Sequence, residues 1–478
     1  MGSMTTNTSR VSKKEYFGYF CYGFGECFNY GLVGTFILFF YTDILGISAA
    51  AASIIFLIAR VWDAANDPVC AGIMDMRRTK EGKFKGYLKI IPIFVVISTT
   101  ACFFAPDISL QGKVLYAGFT YIMWGVFYTI SDIPFWSVSA VISGDTKEKA
   151  NLACAANIGV AGGIGLASIM IPLLVQVFSN QAVETRYFLA VLILSLVGFG
   201  FMMFGYSTIT ERVEPPKNEK VKVRDVINAL KVNKHLFRIL AVFIFKFCYD
   251  VVQSIIVFFF TYNLGNATLM SVFGVIATVS ALGIVVLPLL TKKFRKKDIF
   301  IAVCVLDIVL RLVWYVLGYE NLAVTMVILA LTAFLNALTI PCVSMMLQET
   351  IEYSEVKTGK RCEAITFAGQ TFTGKLAVAL AGSGTGLILT LIQYNPNGVQ
   401  TDFTLNGIFL AVCVVPAIGS LCRMLLLLGY KYTETEHEKD VEILRSRRGV
   451  VQSDEMQREE LVSREPVQFG SCQDFFAL

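Results

Sequence analysis

Two carboxylates lie four residues apart inside a long apolar segment, where charged side chains are costly. Asp63 and Asp67, with Asn66 between them, fall on one face of a helix. An ionised residue near the centre of a membrane helix costs ~2.5–3.5 kcal/mol. Two neighbouring carboxylates also repel each other, so either one is protonated or a cation lies between them. Carboxylate and amide oxygens suit a hard cation such as Na⁺, or a proton. The alternative is a charge pair of Asp63 with Arg60 near the helix end.

A second pattern combines a carboxylate with an aromatic ring. Asp132 and Trp136 are also four residues apart in an apolar segment. A carboxylate that accepts hydroxyl hydrogen bonds beside a ring that can stack is typical of sugar binding. Thr129 lies one helical turn from Asp132 and can turn toward the Asp63–Asp67 face. These residues predict a sugar-like solute bound beside the cation.

Other ionised residues also lie inside apolar segments. Lys375 is predicted near mid-membrane, where it needs a carboxylate or polar ligand; the alternative is that it snorkels to the membrane surface. Glu26 has no partner nearby in the sequence, which favours a functional role. Two further sets have the i,i+4 spacing of self-neutralising structural pairs, and these are Lys246 with Asp250 and Asp307 with Arg311.

The elements that position these groups must be membrane helices. The 478 residues are 55% hydrophobic and 16% charged, whereas soluble domains carry about 25% charged residues. The net charge of +5 is too small to indicate a nucleic-acid partner. Twelve scattered cysteines and two histidines show no metal-ligand spacing, and no nucleophile–base pair is evident. The composition therefore predicts an integral membrane protein that is not an enzyme and needs no cofactor.

Twelve segments approach or exceed the ~20 mainly apolar residues that a membrane helix requires. The predicted segments are 16–42, 47–74, 87–106, 114–142, 151–178, 186–208, 236–262, 269–291, 298–319, 322–348, 362–393 and 404–430.

The connections between these segments alternate between basic and nearly uncharged. The positive-inside rule then places the basic loops and both termini in the cytoplasm of a multi-pass protein of the cell (plasma) membrane. Met1–Ser3 resembles a cloning remnant ahead of a natural start at Met4. The predicted parts are a cytoplasmic arm (1–14), a six-helix bundle (15–208), a cytoplasmic central loop (209–235), a second six-helix bundle (236–430) and a cytoplasmic tail (431–478).

Three ordered motifs resemble a known family. The first runs over 59–68 and contains Arg60, Asp63, Asn66 and Asp67; the second runs over 128–137; the third includes 351–355, 361–364 and 370–375. Together they resemble the glycoside–pentoside–hexuronide:cation symporters, whose best-known member is melibiose permease. The resemblance extends from about residue 15 to 430. It implies an all-α major facilitator fold with 12 transmembrane helices in two six-helix bundles, and cation-driven sugar uptake.

The resemblance also implies roles for individual residues. Its cation site corresponds to Asp63, Asn66, Asp67 and Thr129, with Asp63 and Asp67 as the Na⁺ carboxylates. Its sugar site corresponds to Asp132, Trp136, Tyr128, Lys375, Thr371 and Gln370, with Glu26 in the place of a first-helix sugar contact. Asn157 stands where melibiose permease has an arginine in helix five, and the tenth segment lacks that protein's tryptophan.

These departures leave the substrate open. The first hypothesis is a monomeric transporter that couples uptake of a sugar or glycoside to Na⁺ or H⁺ by alternating access. The second keeps the fold and changes the cargo to a glucuronide or an amphipathic, lipid-like solute, or replaces symport with exchange. A membrane enzyme or channel would need a catalytic or filter motif, and the sequence offers none.

Overall fold

The described residues form an all-α fold in which the helices of each half of the chain pack into a bundle. The computed structural model describes residues 10–76, 81–143, 146–212, 233–280, 283, 286–358, 363–396, 398–444 and 446–447. Within these ranges, ten helices are long and apolar enough to cross a membrane. The long helix Ala49–Met76 and the shorter apolar helix Leu269–Ser280 occur at the positions of the two remaining predicted segments.

The first bundle begins at a capping box, in which Ser12 and Glu15 satisfy each other's backbone N–H groups. Its first helix continues as a π-helical turn over Phe40–Ile44. The helices are α1 Lys13–Phe39, α2 Ala49–Met76, α3 Lys85–Cys102, α4 Leu110–Ile142, α5 Thr146–Val177 and α6 Val183–Thr208.

The second bundle repeats this plan with two interruptions. Its first crossing is split between α7 and α8 and again ends in a π-helical turn, Phe259–Asn263. Its second crossing is split between α9 and α10. The helices are α7 Lys234–Ile244, α8 Phe247–Phe258, α9 Leu269–Ser280, α10 Leu287–Thr291, α11 Lys296–Leu317, α12 Leu322–Thr358, α13 Glu363–Leu391 and α14 Asp402–Leu428.

The predicted segments correspond to these elements, but three predictions of extent were wrong. The segment 236–262 is divided into α7 and α8, which are separated by Phe245 and Lys246. The segment 269–291 is not one helix, because Pro288 lies in the first turn of a new helix, where its missing N–H is harmless. The helix predicted over 322–348 continues to Thr358. Its last ten residues are polar, so a criterion of apolar length overlooks them. Most of the predicted central loop and most of the tail lie outside the described residues, although residues 434–444 are helical.

Glycines in α5 allow its backbone to pack directly against the backbone of α1. A Cβ atom added to Gly159 would lie 2.4 Å from the carbonyl oxygen of Phe20, and one on Gly163 would lie 2.4 Å from that of Phe24. Small residues commonly allow membrane helices to pack this closely. The first bundle is therefore built around α1, which carries Glu26 near its middle.

Replacing Gly163 with alanine is expected to destabilise the protein by about 1–3 kcal/mol, because the new methyl group would push α5 from α1. The matched control is Gly200→Ala in α6, where an added Cβ meets nothing within 4 Å. Thermal unfolding of both purified variants in detergent measures the difference. Equal melting temperatures would contradict the close packing.

The two bundles are joined at the membrane end opposite the start of α1. Asp43 in the first π-helical turn accepts hydrogen bonds from Tyr262 in the second and from Tyr394 after α13. The rings of Phe39 and Phe258 meet edge to face with centroids 5.4 Å apart. We call this the closed end. The opposite end, where α1 begins and α14 ends, is called the terminal end.

Candidate substrate and cation site

The acidic face of α2 is held by basic and aromatic neighbours. Arg60 donates to Asp63 Oδ2 at 3.0 Å and to the Tyr121 hydroxyl at 3.2 Å. The other oxygen, Asp63 Oδ1, is buried and has no hydrogen-bond partner in the described chain. Gly125 makes room for it, since a Cβ there would lie 2.9 Å from this oxygen. Asp63 thus keeps one carboxylate oxygen available for a ligand.

Asp67 links the two bundles. Thr129 on α4 donates to Asp67 Oδ1 at 2.9 Å, and Lys375 on α13 donates to Oδ2. Asn66 accepts from the Cys70 thiol at 3.5 Å, while its side-chain nitrogen has no partner among the residues described. The predicted cation ligands therefore lie together.

The charge of the two carboxylates is balanced by two basic side chains. The spacing of Asp63 and Asp67 predicted either a protonated acid or a cation between them. In the structure each carboxylate has its own basic side chain, Arg60 for Asp63 and Lys375 for Asp67. The predicted pairing of Arg60 with Asp63 and the predicted carboxylate partner for Lys375 both occur.

The predicted sugar-binding residues lie one turn further along α4. The indole nitrogen of Trp136 donates to Asp132 Oδ1 at 2.9 Å, and the Trp136 side chain is 40% exposed. Tyr128 stacks on Trp124 with ring centroids 5.5 Å apart. This arrangement places a carboxylate acceptor and aromatic faces on one surface, which suits a ligand with hydroxyl groups and an apolar ring face.

Asp132, Tyr128 and Trp124 line a cavity of about 300 Å³ between the bundles, here called the acidic cavity. The Lys375 side chain remains 46% exposed there. The lining includes Asp63, Thr129, Asp132, Tyr128, Thr371 and Lys375.

A second cavity of about 330 Å³, the central cavity, adjoins the first on the side of the closed end. The two cavities share Tyr30, Arg60, Trp124 and Val378. Lys246 on the central cavity donates to both oxygens of Asp250, at 2.5 and 2.7 Å. The predicted ion pair therefore forms, but it lies on a cavity wall between the bundles.

Six predicted site residues are not among those that line the two cavities. Asp67 and Trp136 contact lining residues, namely Thr129, Lys375 and Asp132, and Asn66 precedes Asp67 in α2. The other three are Glu26, Asn157 and Gln370. Glu26 is fully buried behind α4. Asn157 is exposed, and its amide donates to the carbonyl of Ala153 in its own helix at 2.7 Å. Gln370 reaches the hydroxyl of Ser344 at 3.5 Å. By contrast, Asp307 and Arg311 form a buried pair at 2.9 Å, as their spacing predicted.

Sequence reasoning predicted Tyr128 and Trp136 but missed two other aromatic residues of the site. Tyr121 and Trp124 line the central cavity beside Arg60, and they fall on the same face of α4 as Tyr128 and Asp132. Their i,i+3 and i,i+4 spacing was the signal that could have found them. Gln253 and Ser254 on α8 were also missed because nothing in the sequence distinguishes them from other polar residues of a crossing.

Comparison with known proteins agrees with this architecture. The profile of the family described as MFS/sugar transport protein matches residues 19–434. The chain is 33% identical to an uncharacterized symporter of Bacillus subtilis, YjmB, over 91% of this chain and 96% of that protein. It is 28% identical to the isoprimeverose transporter of Lactiplantibacillus pentosus over 89% of this chain and 90% of that one.

A solved structure shows the same fold. The bacterial homologue of the human lysosomal transporter Spinster, in an inward-facing and unoccupied conformation, superposes with a TM-score of 0.62 at 12% identity. The match covers 88% of this chain and 98% of that one. Because the family profile spans nearly the whole chain, this protein belongs to the MFS/sugar transport protein family and is a membrane transporter of the glycoside–pentoside–hexuronide:cation symporter type, not an enzyme.

Proposed function

We propose that this transporter couples uptake of a sugar or glycoside to Na⁺ (or H⁺) by alternating access. The observation that carries the proposal is the position of Asp67. This carboxylate contacts Thr129 of its own bundle and Lys375 of the other bundle, and both of these residues line the cavity that also holds Asp132. A cation that competes for Asp67 would therefore act on the contact between the bundles and on the solute site together.

The coupling cation would bind between α2 and α4. Asp63 Oδ1, the Asp67 carboxylate and the Thr129 hydroxyl supply oxygen ligands of the kind that hard cations prefer, with Asn66 beside them. The charge of Lys375 and the charge of Na⁺ would both serve to neutralise Asp67. Binding of Na⁺ would thus weaken the link between Asp67 and Lys375, and free Lys375 to contact the solute.

The solute would bind in the acidic cavity. Asp132 would accept hydrogen bonds from sugar hydroxyl groups, while the exposed ring of Trp136 would stack on the apolar face of the sugar. Tyr128 and Thr371 would complete the wall. The similarity to the isoprimeverose transporter of Lactiplantibacillus pentosus supports a sugar-type solute.

The basic connections favour a cytoplasmic position for the terminal end. The closed end would then face the outside, and the protein in this conformation would be open to the cytoplasm. The two bundles would rock about the cavities to expose them to the other side, as expected for transporters built from repeated halves.

Uptake of a labelled glycoside panel into vesicles that hold this protein tests the proposal. The vesicles carry an inward Na⁺ gradient, a proton gradient or neither. We expect one glycoside to accumulate with the Na⁺ gradient and to fail to accumulate in Asp63→Asn, while the exposed control Asp107→Asn behaves as the parent protein. Accumulation that persists in Asp63→Asn would show that the coupling cation binds elsewhere in the protein.

A second candidate function is transport of a negatively charged sugar such as a glucuronide. The observation that favours it is that Lys246 and Arg60 both line the central cavity. A carboxylate on the solute could replace Asp250 as the partner of Lys246. In a competition assay, a glucuronide that blocks uptake better than the matched neutral glycoside, but not in Lys246→Gln, would support this function. Equal competition by both, or stronger competition by an amphiphile, would oppose it.

A further inference from the structure

Glu26 is a carboxylic acid buried in the first bundle without a hydrogen-bond partner. Its exposed fraction is 0%. Neither of its carboxylate oxygens has a partner within the described part of the chain. It lies near the middle of α1 and does not line the acidic cavity or the central cavity. The sequence resemblance implied that Glu26 contacts the solute. From this position, Glu26 does not reach a solute in either cavity.

The surroundings of Glu26 contain another acid but no nearby basic group, among the residues described, that would balance it. The negative charge of Asp132 on α4 disfavours the ionised form of Glu26, while the Ser131 hydroxyl favours it. That hydroxyl lies 3.2 Å from the hydroxyl of Tyr22. On the other side, α6 packs against α1 through Gly198 and Gly205. The remaining titratable groups that face this region are Tyr19, Tyr22 and Cys27 on α1 and Tyr128 on α4.

Such an environment favours the neutral acid. An ionised carboxylate without a partner is strongly disfavoured away from water, and the nearby negative charge of Asp132 disfavours it further. Asp132 itself accepts from the Trp136 indole and lines the acidic cavity. The proton of this acidic pair therefore belongs on Glu26, and Asp132 connects it to the solvent in the cavity.

We propose that Glu26 is a proton-binding site of the transport cycle, separate from the Na⁺ candidate at Asp63 and Asp67. The Glu26 O–H bond would break, the proton would pass to a water molecule to form hydronium, and it would leave past Asp132 into the acidic cavity. The inference rests on the proposed solute site at Asp132. A protonated Glu26 leaves Asp132 as a single anion that can accept sugar hydroxyl groups, so binding of the proton and of the solute are linked.

Infrared spectroscopy tests the proton site without any solute. The full-length protein in lipid membranes is titrated with alkali while the carbonyl stretch of protonated carboxyl groups is followed. We expect a band that disappears as the pH rises, is absent in Glu26→Gln and is retained in Glu184→Gln, an exposed glutamate of α6. Glu26→Asp should retain a titrating band at a shifted position. A band that Glu26→Gln leaves intact, or that never responds to pH, would overturn the proposal.

A transport measurement tests whether this proton is coupled to the solute. Glutamine mimics the protonated acid, so Glu26→Gln should bind and exchange the glycoside found with the panel yet lose accumulation driven by a proton gradient, by about 5- to 150-fold. Na⁺ stimulation of binding should be unchanged. Proton-driven accumulation equal to that of the parent protein would overturn the proposal. If the parent protein transports no glycoside, the proposed function fails, and the infrared titration still decides the role of Glu26.

Discussion

Replacing Asp67 with asparagine is expected to abolish Na⁺ stimulation of solute binding. Coupling free energies between two ligands are typically 1–3 kcal/mol, which corresponds to about 5- to 150-fold in affinity. The asparagine side chain would retain an oxygen near Thr129 but would lack the negative charge that Lys375 and Na⁺ share. The solute should therefore bind Asp67→Asn with one affinity, whether or not Na⁺ is present.

The measurement is a solute-binding titration on purified protein with Na⁺ or with choline as the only salt. Asp107→Asn, an exposed position in the α3–α4 connection, controls for an Asp-to-Asn change as such and should keep the full Na⁺ effect. Retention of that effect in Asp67→Asn would show that Na⁺ acts elsewhere in the protein.

Lys375→Met tests whether Lys375 competes with Na⁺ for Asp67 or only holds Asp67 in position. If Na⁺ and the Lys375 ammonium group compete for Asp67, removal of the ammonium group should increase Na⁺ affinity while the effect of Na⁺ on solute binding weakens. If Lys375 only holds Asp67 in place, Na⁺ affinity should fall instead. The two interpretations thus predict opposite changes in Na⁺ affinity. Competition predicts an increase, because a buried carboxylate that loses its basic partner binds another cation more strongly.

The sequence was a good guide wherever the cost of burying charge dictated the outcome. Helical spacing alone grouped Asp63, Asn66 and Asp67 on one face of a helix. The spacing of three residues between Thr129 and Asp132 likewise indicated that Thr129 could turn toward this face. The pairs Lys246–Asp250 and Asp307–Arg311 were likewise local, since residues four apart on a helix are neighbours. Both pairs form.

Contacts between distant parts of the chain were beyond sequence reasoning. Lys375 lies 308 residues from Asp67, and no pattern within one helix reveals which face of another bundle it meets. The position of Lys246 on the central cavity depends on how α7 and α8 pack against the first bundle. The burial of Glu26 depends similarly on the packing of α1 against α4 and α6, which local spacing cannot express.

The second mutation with a large expected effect lies at the closed end, where one buried carboxylate joins the two bundles. Asp43 is 4% exposed. One of its oxygens accepts from Tyr262 and Tyr394 of the second bundle, while the other accepts from Thr42 at 2.6 Å. Asp43 and Tyr262 both lie in π-helical turns at matching positions of the two bundles, and such turns frequently mark functional sites. The contact is therefore expected to act as the gate at this end.

Asp43→Ala is expected to shift the protein toward the form that is open at this end. A hydrogen bond to a charged group contributes about 1.5–3 kcal/mol, and each 1.4 kcal/mol changes an equilibrium about tenfold. The loss of one bond in Tyr262→Phe should thus shift the equilibrium by roughly 10- to 100-fold, and the loss of both in Asp43→Ala by more. Tyr315→Phe is the control, since this partly exposed tyrosine stacks on Phe409.

Labelling of a cysteine at position 35 measures this shift. Thr35 lines the central cavity and is 5% exposed, so a membrane-impermeant thiol reagent can reach Thr35→Cys from the Asp43 side only when that end opens. In a background without the native cysteines, labelling should be slow in the parent, faster in Tyr262→Phe and fastest in Asp43→Ala. Net transport should fall in the same order, because a transporter that rarely closes this end cannot complete its cycle. Equal labelling rates in all three proteins would place the gate in the surrounding aromatic packing, with Asp43 as a local structural residue.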